Sequence, residues 1–157
     1  MNMHASRDAR DPAVDRAITN FVHTIVFGEP GEFGPSYPLG FLDSFGMLEA
    51  GVVLHNWQPD YRRIELTAAS VRKTWMTVPR LNTIADLVYH RLNCYTLVAR
   101  HDPSNRTARR LWDALGATEH ILPDLRGPGL DDCMHILTYD QAKASKFWRM
   151  EDGFQAT

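Results

Sequence analysis

Hydrophobic positions along the chain switch between a helical and a strand period, and the switches outline the elements. Val14, Ala17, Ile18, Phe21, Val22 and Ile25 recur at helical spacing behind Asp11 and Pro12, a cap followed by a first-turn proline. The first helix is predicted there. Residues 27–38 are rich in Gly and Pro and read as a loop, after which 39–42 and 47–56 form a predicted hairpin around Asp43-Ser44-Phe45-Gly46. Gln58-Pro59-Asp60-Tyr61 turns the chain into a strand over 64–70, where Ile64, Leu66 and Ala68 alternate with Glu65, Thr67 and Ala69.

Residues 71–78 carry no clear period, and Pro79 then opens a helix whose Leu81, Ile84, Ala85, Val88 and Leu92 share one stripe. A further strand follows over 95–100. Asn105 begins another helix, with Ala108, Leu111, Trp112 and Leu115 on one face and Gly116 as its stop. Strand patterns return at 121–129 and 132–138, and a short helical start follows Asp140. Leu81, Ile84, Val88, Leu97, Leu111 and Leu115 are the expected core. Residues 1–10 read as a loose arm, and the tail carries Phe147, Trp148 and Phe154, aromatics that pack on their own domain or on another chain.

With 157 residues the chain suits one full core, so a single domain is expected. A hydrophobic content of 44% and a charged content of 23% are those of an ordinary globular protein. The formal net charge of −2 argues against sequence-independent binding of nucleic acid, which calls for an excess of Lys and Arg. Cys94 and Cys133 lie in apolar strand patterns, and no apolar run is long enough for a membrane span. A reduced protein in the cytoplasm of its producing or host cell is expected.

The order of strand, cation-bearing loop, amphipathic helix, strand and Asn-x-x-Ala helix ending in Leu-Gly-Ala (residues 64–117) resembles the acetyl-coenzyme A core of the GNAT superfamily of N-acetyltransferases. The likeness extends from about Tyr37 to Tyr139 and is closest to a divergent branch encoded by phages and bacteria. It implies an α+β, three-layer fold: a mixed, mostly antiparallel twisted sheet of about six or seven strands, with helices flanking it. In its centre the strands near 64–70 and 95–100 run parallel, joined by a right-handed crossover.

The same resemblance implies direct transfer of acetyl from acetyl-CoA to an amine, a protein amine among the candidates. Leu66, Thr67, Ala68, Ala69 and Ser70 take the positions whose backbone holds the pantetheine arm, and small Ala68 and Ala69 suit either a close ligand or tight sheet packing. Asn105 matches the asparagine that hydrogen-bonds that arm, although Asn is also a good helix cap. Ala108 matches the small residue facing the cofactor. Arg72, Lys73 and Arg109 are available to phosphate, or to solvent. The loop over 71–78 departs from the family because it has no glycine and carries Trp75. A glycine loop presents consecutive amides to pyrophosphate at a helix N-terminus, which this loop does not do.

Glu65 is the candidate general base, with a surface ion pair as its other reading, and His55 is a second candidate. The family's tyrosine acid falls at Trp112, whose indole is no useful proton donor. Cys94, Cys133, His55, His90, His101, His120 and His135 show no close paired spacing, so no metal is expected. The other reading is a catalytically inactive GNAT-fold protein for binding or virion assembly. A homo-oligomer is compatible with either.

Overall fold

The computed structural model describes residues 10–148; the arm over 1–9 and Phe154 lie outside the described residues. Helix α1 (Pro12–Phe27) starts as the sequence predicts, with the Asp11 carboxylate accepting the Ala13 N–H at 2.8 Å. It stops at Gly28, which adopts φ 85° and donates its N–H to the Thr24 carbonyl. Strands β1 (Ser36–Leu42) and β2 (Leu48–Gln58) form the predicted hairpin. In its turn Asp43 accepts the N–H groups of Phe45 and Met47, and Gly46 supplies φ 81°.

The chain packs as two compact units, one of residues 10–57 with Leu66–Met76 and the other of Gln58–Glu65 with residues 77–148. In the first, Val22, Val53 and Ala69 are buried together, with Phe21 and Phe33 against them. Gly40 and Gly51 sit opposite each other in the β1–β2 register. A Cβ on Gly51 would lie 2.7 Å from Val22 Cγ2, and one on Gly40 would lie 3.0 Å from Ile18 Cδ1, so the glycine pair lets α1 close on the hairpin. This also narrows the helix's buried stripe. Ile18 and Val22 are buried above the glycines, whereas Val14, Ala17 and Ile25, expected on the same face, are exposed.

Strand β3 (Arg63–Ser70) follows a 3₁₀ turn, Pro59–Tyr61. The second unit continues with α2 (Val78–Ala85), β4 (Thr96–His101), α3 (Arg106–Ala114), β5 (Thr118–Gly127), β6 (Leu130–Thr138) and α4 (Tyr139–Ala144). The expected helix over 79–92 is α only to Ala85. Asp86–Arg91 is π-helical, and Leu92 donates its N–H to the Leu87 carbonyl five residues back. In the wider turn the buried Asp86 carboxylate accepts Arg91 Nε at 2.8 Å.

Of the expected core, Ile84, Val88, Leu97 and Leu115 are buried while Leu81 and Leu111 are only half-buried. Trp112 takes the inner position of α3 because its large ring covers the area that Leu111 was expected to cover.

The hydrogen-bonded strand order is β1-β2-β3-β4-β6-β5. The sheet is mixed: β1–β2, β4–β6 and β5–β6 are antiparallel, and β3–β4 is the parallel pair. The start of that pair is seen in the second unit, where the Arg62 carbonyl accepts the N–H groups of Tyr95 and Thr96 at 2.7 and 3.1 Å. The α+β architecture with a central parallel pair and flanking helices is thus the one the sequence predicts. No helix among the described residues is long and apolar enough to cross a membrane.

Candidate active site

In the first unit, β2 and β3 bring two expected site residues together. His55 Nε2 and Thr67 Oγ1 are 2.8 Å apart, and the Phe33 ring lies 5.1 Å from the imidazole. His55 is on the wall of a cleft of about 850 Å³ shared with Arg10, Phe33, Tyr37, Asn56 and Trp57. Tyr37 and Trp57 meet edge to face at 6.3 Å, and the Arg10 guanidinium covers Tyr37 while its Nε donates to Asp15 at 2.8 Å. The cleft is therefore aromatic and cationic, and no carboxylate is among its lining residues. Its chemistry suits an apolar or aromatic body better than a polycation.

The loop after β3 is anchored within the same unit. Arg72 N–H donates to Ser70 Oγ, Ser70 Oγ donates to the Arg72 carbonyl, and the Arg72 guanidinium reaches the buried Glu49 carboxylate at 3.1 Å. Trp75 packs on Phe41 with ring centroids 5.9 Å apart. These contacts give Arg72 and Trp75 structural partners. Lys73 stands exposed. Leu66 and Ala69 are buried, and Thr67, Ala68 and Ser70 are half-buried.

In the second unit, Glu65 is half-buried on β3, and on that strand it shares the parity of Thr67. The first turn of α2 is committed to the helix itself: Thr77 Oγ1 accepts the Arg80 N–H at 3.3 Å, Thr77 O accepts Leu81 N–H, and Pro79 has no N–H. That turn lacks the consecutive amide donors of a phosphate cradle, so this end of acetyl-CoA does not fit it as it fits a glycine loop. Asn105 is the cap of α3, where its Oδ1 accepts the Ala108 N–H at 3.1 Å. Its amide group keeps donors for another acceptor. Arg109 forms a fork to Glu119, at 2.7 and 3.0 Å, and also donates to the Pro103 carbonyl.

A second cluster, which the sequence did not reveal, lies around β6. The β4–β6 register sets His101 opposite Cys133, and the β5–β6 register sets Glu119 opposite His135. His135 is fully buried; its Nδ1 is 3.1 Å from His101 Nε2, and its Nε2 is 3.1 Å from Asp113 Oδ1 and 3.4 Å from Glu119 Oε1. Trp112 stacks on His135. Burial, followed by His135, pushes His101 below its ordinary pKa. Burial and then Glu119 push the Cys133 thiol up to about 11, whereas hydrogen bonds from Arg109 hold the Glu119 carboxyl down at about 2.

The Glu119 shift has a testable sign. Because its folded pKa lies below the ordinary 4.5, its contribution to stability is present above that value and is lost as the pH falls towards about 2. Urea midpoints measured through this window are expected to fall more steeply for the wild-type chain than for Glu119→Gln. Parallel curves would show that the Arg109 fork adds nothing measurable, as exposed ion pairs often do.

The fold and the order of these elements are those of the GNAT acetyltransferases, and solved structures bear this out. A mutant form of the spermidine N-acetyltransferase SpeG from Vibrio cholerae superposes with a TM-score of 0.65 at 16% identity, over 91% of this chain and 96% of that one. A second mutant form of the Vibrio cholerae spermidine/spermine N-acetyltransferase gives 0.67 at 14% identity, over 90% and 96% of the two chains. A ribosomal-protein-S5-alanine acetyltransferase from Vibrio fischeri gives 0.57 at 13% identity, over 67% and 62%. No family model and no curated protein matches the chain.

Proposed function

We propose that the chain is an N-acetyltransferase of the divergent phage and bacterial branch, moving acetyl from acetyl-CoA directly to an amine. Its acceptor is bound in the cleft beside His55. The observation that carries this reading is the His55–Thr67 hydrogen bond on the wall of an aromatic cleft, in a fold shared with acetyltransferases. His55 is the candidate general base for the proton of an incoming ammonium, and its hydrogen bond to Thr67 Oγ1 orients the ring. Glu65, on β3 with the parity of Thr67, is the other candidate base. Acetyl-CoA, as donor, supplies the thioester carbonyl; the neutral amine forms the new C–N bond and releases its second N–H proton to solvent, the C–S bond breaks, and solvent protonates the released thiolate. Trp112 is buried and plays no acid role.

The aromatic, Arg10-bearing lining sets the acceptor class. Neighbouring folds include spermidine acetyltransferases, but a polyamine would meet no counter-charge among the lining residues of this cleft. An amine on an apolar or aromatic body, such as an exposed protein amine, fits better. In the first unit the backbone of Leu66–Ser70 is the candidate hold on the donor's pantetheine arm; in the second unit Asn105, whose amide group keeps its donors, and the small Ala108 are the candidate donor contacts. For the phosphates the first unit offers Lys73, with Arg72 held by Glu49, and the second unit offers Arg109, held by Glu119.

Acetyl-CoA titration followed by thermal shift tests this. At about a hundred times its dissociation constant the ligand should add roughly 2.7 kcal/mol of stability. Asn105→Asp keeps the cap oxygen and removes the amide donors, so it should retain the melting temperature of the free protein while weakening acetyl-CoA several-fold. Asn105→Ala should lose the cap as well, at about 1 kcal/mol. No shift with wild-type protein at saturating ligand would sink the transferase reading. It would leave a GNAT-fold binding protein.

A further inference from the structure

We propose that His101 Nε2, His135 Nδ1 and Cys133 Sγ form a binding site for a zinc(II) ion, supported from behind by Asp113 and Glu119. The inference stands apart from acetyl transfer, because the three ligands and the two carboxylates behind them lie in the second unit and none of these five is assigned to the proposed reaction.

Strand pairing builds the site. Cys133 and His135 are two apart on β6 and so share a face, and β4 delivers His101 directly opposite Cys133. The donor atoms of the three residues lie within 4.8 Å of one another. Tetrahedral zinc with ordinary bond lengths separates two nitrogens by about 3.3 Å and nitrogen from sulfur by about 3.6 Å. The two imidazole nitrogens here are 3.1 Å apart, and Cys133 Sγ is 3.9 Å from His135 Nδ1. These two separations need shifts of a few tenths of an ångström, and the third, from His101 Nε2 to Cys133 Sγ, is within 4.8 Å.

The outer groups match what a metal-bound histidine needs. Ligating imidazoles commonly donate their second N–H to a carboxylate, which fixes the tautomer. His135 Nε2 faces Asp113 Oδ1 at 3.1 Å and Glu119 Oε1 at 3.4 Å, and a proton held there leaves the Nδ1 lone pair on the side of His101 and Cys133. Glu119 is itself oriented by the Arg109 fork, and Trp112 covers the ring. One sulfur and two imidazole ligands select a borderline-soft ion and reject magnesium and calcium. On binding, the Cys133 thiol gives up its proton to solvent and the thiolate takes the metal. His101 and Glu119 are half-buried, whereas Cys133 and His135 are buried, so the ion enters from the His101 side and keeps a fourth position for water.

Titration of the untagged, chelator-treated full chain with cobalt(II), followed by competition with zinc(II), tests the site. One equivalent of cobalt should bind and produce a near-ultraviolet thiolate-to-cobalt charge-transfer band, which zinc should abolish. Cys133→Ser should lose the band and at least about ten-fold in zinc affinity, and Asp113→Asn should weaken zinc by about 10- to 100-fold with the band retained. Should Cys133→Ser fail to fold, His101→Asn, at a half-buried position, reads the same loss of affinity. Binding without the band, unchanged affinity in the variants, or no binding of either ion overturns the proposal and leaves His101, His135 and Asp113 as a hydrogen-bonded chain that needs no sulfur.

Discussion

Replacing His55 by alanine is expected to lower turnover with acetyl-CoA by about 10²- to 10⁴-fold, the range a positioned general base contributes. The donor's affinity should change little, because His55 lines the cleft proposed to hold the acceptor. Thr67→Val is the companion variant: it removes the oxygen 2.8 Å from Nε2 while keeping the branched shape, and should produce part of the same loss. Glu65→Gln separates the two candidate bases. If it silences turnover while His55→Ala leaves it intact, the base is Glu65 and the cleft beside His55 only binds the acceptor. Single-turnover rates with saturating donor distinguish these outcomes from a change in binding.

Phe41→Ala should destabilise the protein by about 3–5 kcal/mol, the usual cost of emptying a buried phenylalanine site. Phe41 is fully buried on β1, pairs with Ala50 in the hairpin register and carries the ring of Trp75. Loss of that ring should also loosen residues 71–76. Urea unfolding gives the stability, and amide exchange across the loop gives the second effect. A cost below about 1 kcal/mol would mean that the site collapses on itself and that Trp75 is anchored by other contacts. The same loop carries Arg72 and Lys73, which are proposed to meet the donor's phosphates, and has no glycine.

The central run from β3 to α3 was legible because each element obeys a local rule. Asp11 and Pro12, Pro79, and Asn105 begin helices as caps or first-turn residues and Gly116 follows one with positive φ, whereas the Thr77 cap and the Gly28 stop came from the structure. The parallel β3–β4 pair followed from the strand-helix-strand order. Half-burial of Leu81 and Leu111, and the π-helical turn after Ala85, were not legible, because a stripe fixes the face of a helix but not which of its residues touches a neighbour. His55 was legible as a strand histidine with no stated partner; Thr67 became its partner only through the packing of β2 and β3.

Whereas packing decided the burial of Ala69 in place of Ala68, the sequence by itself determined the order of elements, most of their caps and stops, the alternation that buries Ile64 and Leu66 of β3, and the absence of a glycine loop. These are properties of neighbouring residues, which period and backbone preference encode directly. Tertiary structure alone decided that Arg72 closes on Glu49, that Arg109 closes on Glu119, and that His101, Cys133 and His135 share one pocket. His101 and Cys133 are far apart in the chain and adjacent only because β4 and β6 pair in one register; a shift by a single residue would turn their side chains to opposite faces.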